Sequence, residues 1–200
     1  VNYAMGLIMS ISGVQGEEPL KHGGFQSQYE AGINGALSTA FSLLIRDMTG
    51  EGQHVDVSLH EALACTTEAA MPWYIYRKQV VKRQTGRHHS IQSTPPAIYS
   101  ASDGGLVHVF GTPPQTMNRW VGLVEWMDEQ GIGPELHGEE YRELVNTRGR
   151  SSELVFNLFR RVGELIASMP AAAVYSRAQT IGLPWGLVRS HEDTLDDPHL

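Results

Sequence analysis

The sequence predicts a mixed α/β chain with two parts and a linker between them. The first part, residues 1–76, combines a long helix pattern with one alternating, strand-like segment. Residues 77–96 differ in composition, since they are rich in cations and close on two prolines, which is typical of a connection between domains. The part from residue 97 onward opens on a hairpin pattern and continues with amphipathic helices.

Composition argues against several classes of protein. Hydrophobic residues make up 41% of the 200 residues and charged residues 18%, which is enough apolar material for a packed core. The formal net charge of −7 disfavours a nucleic-acid-binding protein, which carries a broad basic surface. No apolar run approaches the roughly 18 residues of a membrane span, so no membrane partner is expected. The single cysteine, Cys65, permits no internal disulfide and predicts a reducing, cytoplasmic location.

The two ends of the sequence predict a piece of a longer protein. The chain begins at Val1 rather than at Met, and it stops at Leu200 directly after an acidic stretch that contains proline. We therefore expect part of the chemistry to lie in residues outside the chain.

The first part begins with helices. Residues 1–24 mix apolar residues with glycine and predict a short helix followed by a loop. Residues 26–48 then predict one long helix, because apolar residues recur at helical spacing. Its apolar face consists of Ile33, Leu37, Ala40, Phe41 and Leu44. The small residues Gly32, Gly35 and Ala36 would let another helix approach closely on one side.

A strand and a second helix are predicted to follow. Gly50 provides the stop for the long helix, and residues 53–59 alternate between apolar and polar, which predicts a strand. Ser58 and Glu61 fit a capping box, so a helix is predicted to start there and to run to about Met71, where the following proline stops it.

The linker segment concentrates positive charge. Residues 77–96 hold five of the chain's 15 lysines and arginines within eleven residues. These cations are Arg77, Lys78, Lys82, Arg83 and Arg87. Two interpretations stay open, a solvated crossing between domains and a contact for an anionic ligand or partner. His88 and His89 are adjacent in sequence and no carboxylate follows at helical spacing, so no metal site is predicted.

The second part combines a hairpin with helices. Residues 98–110 predict a hairpin that turns at its central Ser-Asp-Gly-Gly sequence. Thr112 and Gln115 offer a second capping box, with proline at the first helical position. The apolar face of the helix behind it consists of Met117, Trp120, Val121, Val124 and Met127. A further helix carries Leu154, Val155, Leu158, Phe159, Val162 and Leu165. The last predicted helix runs from near Ser168 to the Gly-Leu-Pro sequence at 182–184.

The residue types and their spacing alone do not reveal a complete set of catalytic residues. Neither a phosphate-binding glycine loop nor a G-x-S-x-G nucleophile elbow is present. Cys65 lies in a predicted helix among small residues, which favours a packed thiol over a nucleophile. Asp56 alternates outward from the predicted strand, and we interpret it as a turn-supporting or capping acid rather than a catalytic one. Trp73, Tyr74 and Tyr76 are interpreted as packing at a helix end.

Residues 46–62 carry the most specific motif of the chain. They read RDMTGEGQHVDVSLHEA, and the pattern R-x-x-T-G-x-G-Q-x-V-D-V-S-L-x-E-A closely resembles the family III CoA-transferases, which include formyl-CoA transferase, carnitine CoA-transferases and alpha-methylacyl-CoA racemase. Residues 4–13, AMGLIMSISG, are similar to the family's A-x-G-G-x-M-x-x-T-G stretch. Residues 96–104, PAIYSASDG, are similar to its P…Y…DG entry to the small domain, and residues 182–199 are similar to its later G-[IL]-P…E…DP stretch.

The resemblance implies a fold. Members of the family have a large domain with a Rossmann-like α/β core and a small α+β domain, and two chains interlace into a homodimer. On that basis residues 1–76 are the C-terminal part of a large-domain segment and residues 77–96 are the linker. Residues 97–190 are the small domain, and residues 191–200 start the return to the large domain.

The resemblance also implies a chemistry. An aspartate carboxylate attacks an acyl-CoA thioester, gives a mixed anhydride and then an aspartyl-CoA thioester, and passes CoA to an acceptor carboxylic acid. No bound cofactor is expected, since coenzyme A enters as the thioester substrate. The nucleophilic aspartate is expected upstream of Val1, so no catalytic residue is assigned within the chain. Gly111 and Thr112 are assigned to substrate binding, because they occupy the place of the family's mobile glycine loop.

Two departures from the family pattern bear on the reaction. The racemase branch needs a glutamate soon after the small-domain hairpin, where this chain has Pro113, and that argues against a racemase. The glycine run of formyl-CoA transferase is missing, so formyl and oxalyl specificity is not supported. An acyl-CoA racemase or isomerase of the same family, and a non-catalytic interaction protein that keeps the fold, stand as alternative hypotheses.

Overall fold

The computed structural model shows a chain that forms two compact units. The first unit comprises residues 1–84 and 88–92, and the second is formed mainly by the residues from Ser93 onward. The structure describes residues 1–84, 87–110, 112–147, 153–195 and 197, with the backbone alone described at 87–89, 146 and 147. The boundary between the units falls within the segment 77–96. The assignment of the parts on either side to a large and a small domain stays a prediction.

The first unit is mostly helical and has a small core. Its helices are α1 (Asn2–Met5), α2 (Ile8–Ile11), α3 (Gln26–Thr49), α4 (Leu59–Cys65) and α5 (Ala70–Arg77). Its strands are β1 (Lys82–Gln84) and β2 (Arg87–Ser90), which pair with each other. Tyr3, Ile8 and Leu63 are buried together and join α1, α2 and α4. Arg83 in β1 donates a hydrogen bond to the backbone carbonyl of Glu17 at 3.1 Å, so this linker cation makes a structural contact.

Helix α3 confirms the prediction of a long helix over residues 26–48. It ends at Gly50, whose φ of 77° lies in the left-handed region and whose N–H donates to the carbonyl of Arg46 at 2.7 Å. Of its residues, all of them described, only Ser27 is buried. A Cβ on Gly32 or Gly35 would meet no atom within 4 Å, so the close helix contact predicted there is not made by described residues. The exposed large apolar side chains of α3 are Tyr29, Ile33, Leu37, Phe41, Leu43, Leu44, Ile45 and Met48.

The strand predicted over residues 53–59 is wrong for the described chain. Residues 51–58 have no regular secondary structure, and residues 51–56 are all exposed. A strand forms only where a neighbouring strand satisfies its backbone N–H and C=O groups. Among the described residues, no backbone–backbone hydrogen bond joins residues 52–57 to another segment. The alternating side chains therefore indicate a preference for strand, but the described residues supply no neighbouring strand that pairs with this segment.

The capping box at Ser58 is confirmed, whereas the predicted end of that helix is wrong. The Ser58 hydroxyl accepts a hydrogen bond from the Glu61 N–H at 3.4 Å, and α4 starts at the next residue after the cap. The helix stops at Cys65, and α5 begins at Ala70 with Pro72 in its first turn. The N–H groups of a first turn have no partner within the helix, so a proline there is tolerated and does not act as a stop.

The second unit packs helices on a three-stranded antiparallel sheet. The strands β3 (Ile98–Ser100), β4 (Leu106–Val109) and β5 (Trp185–Val188) lie in that order, with β4 in the centre. The helices are α6 (Met117–Glu129), a short 3-10 helix (Pro134–His137), α7 (Glu139–Arg142), α8 (Leu144–Thr147), α9 (Glu153–Ala167), α10 (Ala171–Ile181) and α11 (His191–Leu195). The core draws mainly on α6, α9 and α10 together with the inward side chains of β4.

The hairpin of β3 and β4 is confirmed, and its aspartate has a structural role. Ile98 pairs with His108 in the antiparallel register. The Asp103 carboxylate accepts a hydrogen bond from the Gly105 N–H at 3.0 Å within the turn. It also accepts one from the Ala171 N–H at 3.2 Å. The Asp-Gly pair of the motif therefore ties the hairpin turn to the first residue of α10.

Helix α6 begins later than predicted. The capping box assigned to Thr112 and Gln115 is wrong, because the helix starts at Met117 and Thr116 precedes it without a side-chain capping bond. Two consecutive prolines explain the delay, since the residue before a proline is driven out of the helical region. The buried face is also rotated, so that Val121 is 43% exposed. The buried side chains of α6 are Trp120, Leu123, Val124, Trp126 and Met127.

Replacing Tyr99 with Phe is expected to stabilise the second unit. The Tyr99 hydroxyl is buried and has no hydrogen-bond partner among the described residues, and its burial raises the pKa of the phenol. Removing an unpaired buried hydroxyl recovers its desolvation cost, so we expect a gain of about 1 kcal/mol. Thermal unfolding is the measurement. Tyr141→Phe is the matched control, because the Tyr141 hydroxyl accepts a bond from Asn157 and its loss should destabilise. A loss of stability in Tyr99→Phe would contradict the prediction.

Acid is expected to weaken the second unit through Glu135. The hydrogen bond from the Arg161 side chain lowers the pKa of this carboxyl below its ordinary value of 4.5. A lowered folded-state pKa gives stability that is present above the ordinary value and is lost as the pH falls through the lowered value. We expect Glu135→Gln to flatten the fall of the melting temperature below about pH 4.5. The exposed Glu143→Gln is the control, and equal flattening by both variants would contradict the assignment.

Candidate functional site

The segment between β4 and α6 contains the residues predicted to bind substrate. Gly111 lies outside the described residues. Thr112 is half-buried, and its N–H donates to the carbonyl of Phe110 at 2.7 Å. Pro113 and Pro114 are both buried and fix the path of the segment before the helix begins. The threonine therefore sits on a stiff piece of backbone rather than on a helix cap.

A cavity of about 270 Å³ opens beside this segment. Thr112 lies on its wall, as do apolar side chains from α6, α9 and the start of β5. Prominent among the apolar wall residues are Phe110, Pro113, Leu123, Leu158, Val162 and Trp185. Leu158 is completely buried and Val162 is 1% exposed, so the cavity reaches from the surface into the core of the second unit.

Arg119 is the one cation among the described residues of the cavity wall. It lies in the first turn of α6 and is half-buried. A Cβ placed on Gly182 would stand 3.4 Å from its Nε, so Arg119 packs along the end of α10. Within the described part of the chain Arg119 forms neither a hydrogen bond nor an ion pair. Among the described residues, the arginines that pair with a carboxylate are Arg46, Arg142, Arg160, Arg161, Arg177 and Arg189.

The cavity, its apolar wall and its unpaired guanidinium lie in a chain that matches a known family from end to end. The family model described as CoA-transferase family III matches residues 1–200. The chain belongs to CoA-transferase family III. The resemblance carried by residues 46–62 is therefore confirmed.

Two curated relatives of this family III chain act on succinyl-CoA. One is the succinyl-CoA:(R)-benzylsuccinate CoA-transferase subunit BbsE of Thauera aromatica, 27% identical over 196 residues, which are 95% of this chain and 45% of the relative. Another is the alpha subunit of succinyl-CoA–L-malate CoA-transferase from Chloroflexus aurantiacus, 24% identical over 201 residues, covering all of this chain and 44% of the relative. The chain thus spans less than half the length of these relatives.

Solved structures of related proteins share the fold of this family III chain. A CaiB/BaiF family protein from Brucella suis superposes with a TM-score of 0.72 at 21% identity, covering 99% of this chain and 49% of that one. The protein Rv3272 from Mycobacterium tuberculosis gives a TM-score of 0.69 at 16% identity, with the same two coverages. The mixed α/β fold expected from the resemblance is confirmed by these likenesses.

The family III motif over residues 46–62 occupies turn and capping positions. Gly50 ends α3, and Ser58 caps α4. Arg46 pairs with the neighbouring Asp47 at 2.9 Å on an exposed surface. Asp56 is exposed, and among the described residues it neither caps a helix nor accepts a hydrogen bond, so its interpretation as a capping acid is wrong here. The motif that identifies the family therefore builds local structure in this chain.

Other residues considered from the sequence are more exposed than predicted. Cys65 is an exposed free thiol, because its neighbours Ala62 and Leu63 take the buried side of α4. Tyr74 and Tyr76 are 57% and 81% exposed, so the predicted aromatic packing at the end of α5 is wrong for both. The side chains of the two adjacent histidines at 88 and 89 lie outside those the structure describes.

The described ranges show neither a metal-binding cluster nor a membrane-spanning helix. No group of three or more His, Cys, Asp and Glu side chains converges there as a metal ion would require. No helix in these ranges combines the length and the hydropathy that a bilayer crossing needs.

Sequence reasoning missed Arg119. An arginine near the start of an amphipathic helix is ordinarily a solvated residue, so its type and spacing give no signal. Only the folded chain shows that α9 and the start of β5 enclose a cavity next to it.

Proposed function

We propose that the protein to which this chain belongs transfers coenzyme A from an acyl-CoA thioester to a carboxylic acid. The observation that carries the proposal is the match of residues 1–200 to the family III model. Succinyl-CoA is the donor to test first, because the curated relatives above use it. We also propose an interlaced homodimer in the cytoplasm, with the acyl-CoA and the acceptor acid as its small-molecule partners.

The proposed reaction passes through an aspartyl intermediate. The aspartate carboxylate, expected upstream of Val1, attacks the thioester carbonyl and releases CoA thiolate, which leaves a mixed anhydride. CoA thiolate then attacks the aspartyl carbonyl, which frees the donor acid and forms an aspartyl-CoA thioester. The acceptor carboxylate repeats these two steps in reverse and regenerates the aspartate. Coenzyme A is a substrate throughout, and the proposal needs no resident cofactor.

The assay for this function uses the full-length protein with succinyl-CoA and a panel of carboxylic acids. Formation of new acyl-CoA thioesters is followed by chromatography, and hydroxylamine is used to trap the aspartyl intermediate as a hydroxamate. The 200-residue chain alone is expected to be inactive. Exchange of the α-proton in D₂O without an acceptor acid would instead favour the racemase or isomerase, and no reaction of either kind would favour a non-catalytic relative.

We further propose that Gly111 and Thr112 border the acyl group. The cavity wall at Thr112 supports this placement. Thr112→Phe in the full-length protein is expected to lower kcat/KM by about tenfold or more, because an enlarged side chain misplaces the acyl group. Its melting temperature should change little. Thr116→Phe is the control, since Thr116 is exposed and its side chain makes no capping bond. Unchanged kinetics in Thr112→Phe would remove these residues from the site.

A further inference from the structure

The cavity of the second unit has an apolar interior and, among its described wall residues, one charged side chain. Its deep end is formed by side chains that are almost completely buried, including Leu123, Leu158 and Val162. Its other side carries the half-buried guanidinium of Arg119. Among the residues that the structure describes, no aspartate or glutamate lies on the wall, so none of them balances the charge of Arg119 within the cavity.

We propose that this cavity binds a carboxylic acid with an aromatic or branched apolar body, whose carboxylate pairs with Arg119. A half-buried guanidinium is stabilised by a carboxylate that accepts two parallel N–H bonds. The apolar body of the same ligand covers the side chains behind it. An unpaired half-buried cation next to an apolar hollow thus fits an amphipathic monoanion better than it fits a neutral ligand or a cation.

The volume of the cavity sets the size of the ligand. An apolar cavity of about 150 Å³ is known to hold a benzene ring. The cavity here is about 270 Å³, which leaves room for a ring with a short side chain. A phenyl ring carrying a two- or three-carbon acid meets both requirements. Trp185 on the wall is 5% exposed and offers a flat apolar surface for such a ring.

The inference rests on the proposed function only for the role of the acid, as the acyl group or as the acceptor in transfer. Binding itself is a property of the described unit and is measured without any turnover. Loss of transfer activity in the full-length protein, with acid binding intact, would refute the function and leave the site. Transfer without Arg119-dependent binding would refute the site and leave the function.

Binding is tested with the full-length protein and 3-phenylpropionate, by ligand-observed saturation-transfer NMR titration. The amide of the same acid, 3-phenylpropanamide, has the same apolar body without the charge. Its affinity is expected to be lower by a factor of about ten or more. Arg119→Gln is expected to bind the acid about tenfold more weakly than the unaltered protein does, and to bind the amide with unchanged affinity. Arg177→Gln is the matched control, because Arg177 pairs with Glu129 on the surface of the same unit and is absent from the cavity wall.

Each outcome either supports or overturns the proposed binding site. A preference for the acid that is lost in Arg119→Gln and kept in Arg177→Gln supports the proposal. Equal affinity for acid and amide, or equal loss in both variants, overturns it. The comparison of acid with amide on the unaltered chain needs no variant, so it decides the matter even where Arg119→Gln lowers the melting temperature. Arg119→Lys keeps the charge without the planar fork and is expected to retain part of the preference.

Discussion

Purified by itself, the 200-residue chain is expected to associate rather than to remain a monodisperse monomer. Helix α3 exposes a continuous row of apolar side chains, with Ile33 62%, Leu37 54% and Phe41 57% exposed. Gly32 and Gly35 beside this row leave its surface open to close approach. Exposed apolar patches above a few hundred Å² are rare on monomeric proteins and mark contact surfaces, so covering this face lowers the free energy.

Light scattering coupled to size-exclusion chromatography measures the association. The double variant Leu37→Glu with Phe41→Lys places charges in the apolar row and is expected to shift the chain toward monomer. Thr39→Glu is the control, because Thr39 is exposed on the opposite side of the same helix and its replacement leaves the row intact. A monodisperse monomer for the unaltered chain, with no binding of a hydrophobic dye, would show that α3 needs no cover.

Gly6→Ala is expected to destabilise the first unit by about 2 kcal/mol, since overpacking a tight contact forces side chains or backbone to shift. A Cβ on Gly6 would stand 2.5 Å from the Cβ of Leu63, which is 1% exposed and fixed to the backbone of α4. The φ of Gly6 is −81°, a value that alanine accepts, so the cost is a matter of space alone. This glycine belongs to the family-like segment 4–13, and close packing of α1 on α4 explains why a side chain does not fit there.

Gly32→Ala is the matched control. It is expected to stabilise the first unit, whereas Gly6→Ala destabilises it. Gly32 lies within α3 and its Cβ would meet nothing within 4 Å, so alanine should add about 1 kcal/mol through its higher helix propensity. Amide hydrogen exchange of α4 reports on the first unit directly, and denaturant unfolding gives the free energies. Equal effects of the two substitutions would contradict the contact between Gly6 and Leu63.

Local sequence patterns correctly predicted the elements that are stabilised by contacts between residues near in sequence. Helix α3 follows from its apolar spacing and the glycine stop at Gly50. The β3–β4 hairpin follows from its central turn, and α9 follows from its apolar face, in which Leu158 and Val162 are buried as predicted. Each of these signals lies within a few helical turns or within one hairpin turn, so a short window of sequence is enough to predict the element.

Features that depend on distant partners were not predictable in the same way. The alternation over residues 53–59 shows a strand preference, yet no described segment supplies the hydrogen bonds that would make it a strand. Strand β5 forms at the edge of the sheet because β4 lies beside it, and its own four residues carry no alternation. The substrate residues were assigned from the family resemblance. Arg119 is a candidate because α9 and the start of β5, which are distant in sequence, enclose a cavity beside it in the folded chain.

The late position of β5 along the chain has a consequence for the order of folding during synthesis. Trp185 pairs with Val109 across more than seventy intervening residues, and its ring also contacts Trp126 with centroids 5.8 Å apart. The β3–β4 hairpin can close as soon as it leaves the ribosome, because its contacts are local. The sheet, by contrast, keeps an open edge on β4 until residues 185–188 emerge. A nascent chain stalled before Trp185 therefore exposes the open edge of β4 and lacks the Trp185 side chain that completes the core, which makes this stage of translation prone to aggregation.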